Sequence, residues 1–258
     1  LEKIDIDCIY LPPFACTEWP GPSTPPELIG RTMDVSMLTT SPTYLDLDHW
    51  HRRSAFDFFR GFDIPTFNIC TRLDVAQLKA AIKASGVGSL SLAYHFIAIR
   101  LANNIEPFRY RMEGERVRVH AQVHGSTTVL RSDESFAFAR LEYQASYAAF
   151  AAQGAQAIAQ ASVPDAPFEP DEAGTATLHM TTLPWMHFSS YSNARQWGPH
   201  DSIPKIAFGR IDAEGEHLWM PVSVDVHHAL MDGIHVGRFF EGFEAALRQP
   251  DTWLDETH

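Results

Sequence analysis

The feature that most restricts what this chain can fold into lies near its C-terminus. Leu218 to Val226 is an apolar, strand-like run; it ends in His227-His228-Ala229-Leu230-Met231-Asp232-Gly233, and His235 to Leu247 then carries the apolar spacing of an amphipathic helix. A strand that hands straight into a polar turn and a helix belongs to a layered α/β arrangement. The same run carries chemistry. A histidine fixed at a strand end can take a proton from a hydroxyl, and an aspartate four residues on, just before a glycine that permits a sharp turn, can brace the loop. With 13 histidines in the chain a His-His pair is not rare by chance. HHxxxDG alone therefore reads equally well as a structural pair satisfied by backbone carbonyls, and its context has to decide.

That context is an alternation of element types from Tyr44 onward. His49 to Arg60 reads as a helix with Trp50, Phe56 and Phe59 among its apolar positions, and Phe67 to Leu73 as a strand. Asp74 is placed to cap a helix over Val75 to Ser85 that Gly86 ends, and a second helix follows at Leu90 to Asn104. Glu113-Gly114-Glu115 between Tyr110–Met112 and Val117–His120 is a hairpin signal. Thr127 to Leu130 and Phe136 to Arg140 supply two more strands, Ser146 to Ala161 an alanine-rich helix. Thr177 to Leu183, Lys205 to Ile211 and His217 to Val226 are the last strands. The pattern predicts an α/β fold, a two-layer sandwich of helices on a mixed, largely antiparallel sheet. Ahead of it, residues 1–42 are proline-rich and read as an irregular arm docked on a surface, with residues 43–258 forming the domain proper.

Composition narrows the partners. A formal net charge of −12 argues against nucleic acid and against an anionic membrane, both of which reward a basic face. Cys8, Cys16 and Cys70 show no metal-ligand spacing, so no metal is expected, and an odd number of thiols suits a reducing compartment. No apolar stretch has the length of a membrane span, and residues 1–10 carry four charges, unlike a signal peptide. The expectation is a cytoplasmic protein. Leu1 in place of methionine suggests that the first residues were lost or trimmed.

Four segments, in order, carry a resemblance. They are Trp50-His51-Arg52-Arg53 with Phe56; Ala102-Asn103 with Phe108-Arg109 and the hairpin after them; Leu183-Pro184-Trp185 with Phe188; and Met220-Pro221-Val222-Ser223-Val224 leading into HHALMDG and His235-Val236-Gly237-Arg238-Phe239. Together they resemble the chloramphenicol acetyltransferase family, from about Tyr44 to Arg248, with the spacing from Leu183-Pro184-Trp185 to His228 matched without a gap. Condensation domains and plant acyltransferases resemble two such units in a longer chain, and lipoyl-enzyme acyltransferases lack the Trp-His-Arg opening. The resemblance therefore points to the single-unit version, a homotrimer whose site lies between neighbouring subunits.

The resemblance implies roles by position. His228 matches the general base that deprotonates an acceptor hydroxyl for attack on the thioester of acetyl-CoA, the implied co-substrate, while His227 is structural. Asp232 matches an aspartate paired with the arginine at Arg52. Thr181 stands where the family places a serine, three residues before Pro-Trp, that donates to the developing oxyanion; threonine keeps the hydroxyl but has a stiffer χ1. Trp185 matches a tryptophan along the pantetheine path and Arg210 a lysine near the CoA phosphates. Phe58, Phe59, Phe136, Tyr191, Asn193 and Lys205 fall at substrate-binding positions.

Departures bear on the substrate. A threonine that helps hold a water in the family is Ala207 here; a tyrosine is Phe59; an upstream lysine and tyrosine are Ser89 and Ser91; and usually apolar positions are Asn193, Arg195 and Lys205. A pocket carrying Lys205 or Arg195 favours an acidic or strongly polar acceptor, unless those cations turn outward. The function implied is CoA-dependent O-acylation, most simply acetylation, of a small-molecule hydroxyl. The alternative is a repurposed fold in which His228 serves a CoA-independent cyclisation, condensation or dehydration.

Overall fold

The computed structural model describes residues 42–168, 174–195 and 201–254. The predicted arm therefore lies, all but its last residue, outside the described residues, as do Cys8 and Cys16.

In chain order the elements are β1 (Thr43–Tyr44), α1 (Arg53–Phe59), β2 (Thr66–Asp74), α2 (Ala76–Ser85), α3 (Leu90–Asn104), β3 (Tyr110–Glu113), β4 (Arg116–Val119), β5 (His124–Leu130), β6 (Phe136–Leu141), α4 (Tyr147–Ala161), β7 (Thr177–Leu183), β8 (Lys205–Gly209), β9 (Asp212–Glu214), β10 (His217–His227), α5 (Gly233–Arg248) and α6 (Asp251–Leu254). Local chemistry explains most boundaries. Asp74 Oδ1 accepts from the Ala76 N–H at 3.0 Å to start α2, and Gly86, at φ +66°, closes it in the left-handed conformation that glycine adopts without a Cβ clash. Ser89 Oγ accepts from the Leu92 N–H and Ser146 Oγ from the Ala149 N–H at the starts of α3 and α4. The expected helix over His49 to Arg60 is shorter at its start: Trp50 to Arg52 form a turn and α1 begins at Arg53. Arg52 has its side chain committed elsewhere, as described below. The strand expected over Lys205 to Ile211 ends at Gly209, and Asp212–Glu214, expected as a connection, pairs with β10 instead.

The main sheet runs β2-β10-β8-β7-β5-β6, with β9 on β10, and a smaller sheet runs β1-β4-β3. Only the β5–β7 and β7–β8 pairs are parallel, so the sheet is mixed and largely antiparallel. Side chains alternate across it. Met220, Val222, Val224 and Val226 of β10 enter the core with Phe96, Phe239 and Phe243 of the helices, whereas Ser223, Asp225 and His227 point to the other face. The helical layer sits close: a Cβ on Gly125 of β5 would lie 2.7 Å from Ile99 Cδ1 of α3, so a larger residue there would have to displace the Ile99 side chain. The result is the expected two-layer sandwich.

Because β7 and β8 are parallel, the chain between Leu183 and Lys205 has to travel back along the sheet. Its described part up to Arg195 lies on the face away from the helices, where Arg195 reaches Asp225 of β10.

Candidate active site

His228 follows the last residue of β10 directly. Its backbone N–H donates to the Pro65 carbonyl at 2.7 Å, which ties the strand end to the start of β2. The imidazole stacks on Phe59, with centroids 3.9 Å apart and planes 7° from parallel, and leans on Phe67 at 4.7 Å. Its Nδ1 lies 3.2 Å from the Met231 carbonyl oxygen. A carbonyl can only accept, so this contact assigns the proton to Nδ1 and leaves a lone pair on Nε2. Nε2 has no hydrogen-bond partner among the described residues, and the side chain is 33% exposed. The ring is thus oriented, held in one tautomer and open on its basic side. His227 is buried, and its Nδ1 accepts from the Ala229 N–H at 3.2 Å.

The structure brings Arg52 and Asp232 together. Arg52 Nε donates to Asp232 Oδ2 at 2.6 Å and Nη2 to Oδ1 at 2.5 Å, a bidentate fork. The same guanidinium donates from Nη1 to the Ala229 carbonyl and from Nη2 to the His228 carbonyl, both at 3.0 Å. Arg52 therefore grips the turn that presents His228 at the backbone as well as through Asp232. The hydrogen bond from Arg52 is the main cause holding the Asp232 carboxyl below its ordinary range, against some desolvation. Asp232 also opens α5: its side chain accepts from the His235 N–H, while its own N–H donates to His235 Nδ1 at 2.8 Å. Asp232 Oδ1 is 3.4 Å from His228 Nδ1.

Thr181 is elsewhere. Register places it opposite Ala207, and Ala207 opposite Ser223, five residues before His228 on β10. Two strand spacings and five residues of rise put the Thr181 and His228 Cα atoms about 19 Å apart within one protomer. Side-chain reach closes less than half of that gap. Thr181 Oγ1 contacts Thr128 Oγ1 at 2.6 Å; when Thr128 is the donor, the Thr181 proton is free for another acceptor. The buried methyl of Ala207 between Thr181 and Ser223 offers no hydrogen bond, and the Ser223 hydroxyl is taken by the Asn68 amide at 2.6 Å.

The other sequence-chosen residues divide in the same way. Phe59 touches His228, and Phe58 lies at its edge in a cluster with Phe62 whose members are exposed or half-buried. Phe136 is on β6 at the far side of the sheet, packed with Phe138 and Phe168, and shares no contact with that cluster. Trp185 is exposed just past β7. Arg210 is exposed but committed, with Nε at 2.8 Å and Nη2 at 3.4 Å from the carboxylate of Asp212, which raises its pKa. Tyr191 packs on Phe188, and burial raises its phenol pKa. Lys205 is buried rather than turned outward, with Nζ 3.0 Å from Asp201 Oδ2, and Arg195 pairs with Asp225 at 2.6 Å. Neither cation is free for an acidic acceptor, which corrects the expectation drawn from their charge alone.

Several residues of these arrangements carry no sequence signal: the Met231 carbonyl, Phe67, Thr128, and the carboxylates Asp201 and Asp225. Among the described residues no cluster of histidine, cysteine, aspartate and glutamate is arranged to hold a metal.

Comparison with known proteins gives the same result from sequence and from structure. The sequence model of the chloramphenicol acetyltransferase family matches residues 41–244. A chloramphenicol acetyltransferase of Streptomyces acrimycini is 28% identical over 224 residues, covering 86% of this chain and all of that protein. Chloramphenicol acetyltransferase 2 of Escherichia coli is also 28% identical, over 76% of this chain and 92% of its own length. Among solved structures, a chloramphenicol acetyltransferase superposes with a TM-score of 0.71 at 22% identity, over 80% of this chain and 99% of that one. A dihydrolipoamide acetyltransferase of Azotobacter vinelandii shares the fold more distantly, at a TM-score of 0.59 and 16% identity, over 79% of this chain and 89% of that one.

Proposed function

This chain belongs to the chloramphenicol acetyltransferase family and is an acyltransferase, and from that premise we propose that it transfers an acetyl group from acetyl-CoA to a hydroxyl of a small molecule, with His228 as general base in a site that two neighbouring subunits of a homotrimer complete. The observation that carries the reading is the state of His228: Nδ1–H is given to the Met231 carbonyl, Nε2 is unengaged, and the ring is clamped by Phe59. The two-subunit site is supported by the separation of about 19 Å between His228 and the only matched oxyanion donor, Thr181, since a reacting atom must lie within roughly 3 Å of both.

The chemistry follows from these positions. His228 Nε2 accepts the proton of the acceptor hydroxyl as its oxygen forms the new ester bond. Acetyl-CoA supplies the activated acyl group and a thiolate leaving group. The Thr181 hydroxyl, freed by a hydrogen bond from Thr128, donates to the oxygen on which negative charge develops. His228 then returns the proton from Nε2 to the departing sulfur, which restores the starting tautomer. Asp232 and Arg52 orient the turn and take no proton. For the donor, the exposed indole of Trp185 fits packing against a pantetheine arm. Arg210, with two of its nitrogens on Asp212, retains only part of its capacity for phosphate.

The test is direct. Purified protein with acetyl-CoA, a thiol-reactive dye and a panel of hydroxylated amphiphiles, chloramphenicol included, is expected to release free CoA, and His228→Ala to abolish release. No release with any acceptor would sink the reading and favour the CoA-independent alternative.

A further inference from the structure

Three buried donors among the described residues have no acceptor: Arg109 Nε, just before β3, and two that lie close together in the chain. The two are Asn193 Nδ2 and Arg195 Nε, both on the stretch that returns across the non-helical face of the sheet between β7 and β8. Their neighbours are fixed. Arg195 Nη2 donates to Asp225 Oδ1 at 2.6 Å, and Nη1 donates to the Asp201 carbonyl at 3.1 Å and lies 3.4 Å from Asp201 Oδ1. Lys205 Nζ holds Asp201 Oδ2 at 3.0 Å. Two cations thus face two carboxylates, and the cluster is electrically balanced. It lies on the same sheet face as Thr181: Lys205 stands opposite His179, two residues before the Ala207–Thr181 pair, which puts the Lys205 and Thr181 Cα atoms about 8 Å apart.

We propose that Asn193 Nδ2 and Arg195 Nε read the acceptor substrate, donating hydrogen bonds to an uncharged oxygen, of the carbonyl type, on a hydroxyl-bearing molecule with an apolar body. The proposal rests on the acyltransferase reading above. A group without an acceptor atom at this point would leave both donors desolvated and unpaired, which a pocket tolerates poorly. A carboxylate would bring a third negative charge beside Asp201 and Asp225, where Arg195 and Lys205 are already matched, and would lose its own hydration to do so. A neutral carbonyl oxygen satisfies the donors without disturbing that balance. Phe58, Phe62 and Ile64 are exposed around the Phe59 that stacks on His228; in a site completed by two subunits they would arrive together with His228 and supply the apolar contact.

The experiment is a calorimetric titration of the full chain, without acyl donor, with three matched probes: para-carbamoyl-, para-carboxy- and para-methyl-benzyl alcohol. The carbamoyl probe is expected to bind about tenfold more tightly than the methyl probe and more tightly than the carboxylate. Asn193→Leu removes one donor. Arg195→Lys keeps a cation facing Asp225 but deletes Nε, so it remains usable if larger changes at this position unfold the protein. Each variant is expected to bring the carbamoyl-to-methyl ratio toward one while leaving affinity for the methyl probe within about twofold. Equal binding of all three probes, tightest binding of the carboxylate, no binding at all, or a preference that survives both variants would each overturn the proposal. CoA release from the same alcohols, run in parallel, reports separately on the acyltransferase reading: release from the methyl probe with no carbonyl preference upholds that reading and rejects this one.

Discussion

Replacing Arg52 by alanine removes the one side chain that holds Asp232, Ala229 and His228 at once. Arg52 is 6% exposed, but the Asp232 side chain is 39% exposed, so its share is discounted toward the ~1 kcal/mol of a partly solvated pair. The two carbonyls lose charged donors, and each such loss costs roughly 1–2 kcal/mol where water enters only in part. The sum is about 3–5 kcal/mol, a fall in Tm of roughly 6–20 °C for a domain of this size. Arg52→Lys keeps the charge without the planar fork and is expected to recover less than half of the loss. Differential scanning calorimetry measures both, and initial rates of CoA release are expected to fall at least about tenfold as the His228 turn loosens. The cost also depends on pH. The Asp232 carboxyl is held below 3.8 in the folded protein by Arg52, so its contribution is full above 3.8 and is lost as pH falls through the lowered value. The gap between wild type and Arg52→Ala should therefore narrow at acid pH by the Asp232 share, about 1 kcal/mol, while the part carried by the two carbonyls persists. A variant that melts within ~1 °C of wild type near neutrality would refute the idea that Arg52 braces the turn.

Other consequences are independent. Thr181→Val removes the hydroxyl at nearly constant volume and is expected to lower kcat by roughly a hundredfold or more, with Thr181→Ser close to wild type; equal rates for valine and threonine would remove Thr181 from the chemistry. Gly209→Ala would place a Cβ 2.5 Å from Pro221 Cγ and 2.9 Å from the Met186 carbonyl oxygen, so a loss of about 1–3 kcal/mol is expected in urea unfolding. His95 is buried neutral, its pKa lowered from 6.5 to about 4 chiefly by desolvation. The unfolded chain then binds more protons between those values, stability falls as pH drops through that window, and His95→Gln should flatten the fall.

Much of the fold was legible because local and global signals agree. Leu90 to Asn104 forms α3 as predicted, with Ser89 capping its start, and the apolar run that ends at Val226 is the strand β10 with one face in the core. α1 starts later than the apolar pattern indicates, because that pattern runs from Trp50 through a turn in which Arg52 reaches a residue 180 positions away. The charge of Arg195 and Lys205 was visible, but not their neutralisation, since the spacing of Arg195 to Asp225 is as uninformative as any other thirty-residue gap. The motifs brought His228 and Thr181 to notice together. Only strand register shows that one chain holds them far apart, and no one-dimensional spacing encodes that separation.

The central claim, a base from one subunit acting with an oxyanion donor from the next, is tested most directly by complementation. Two preparations, His228→Ala and Thr181→Val, each with little activity alone, are unfolded, mixed in equal amounts and refolded together. Random assembly then gives intact sites wherever an unaltered His228 meets an unaltered Thr181 from a different chain, and activity is expected to return to about a quarter of wild type. If the mixture gives no more than the sum of its parts, while co-refolded wild type recovers fully, the site lies within single chains and the account is wrong.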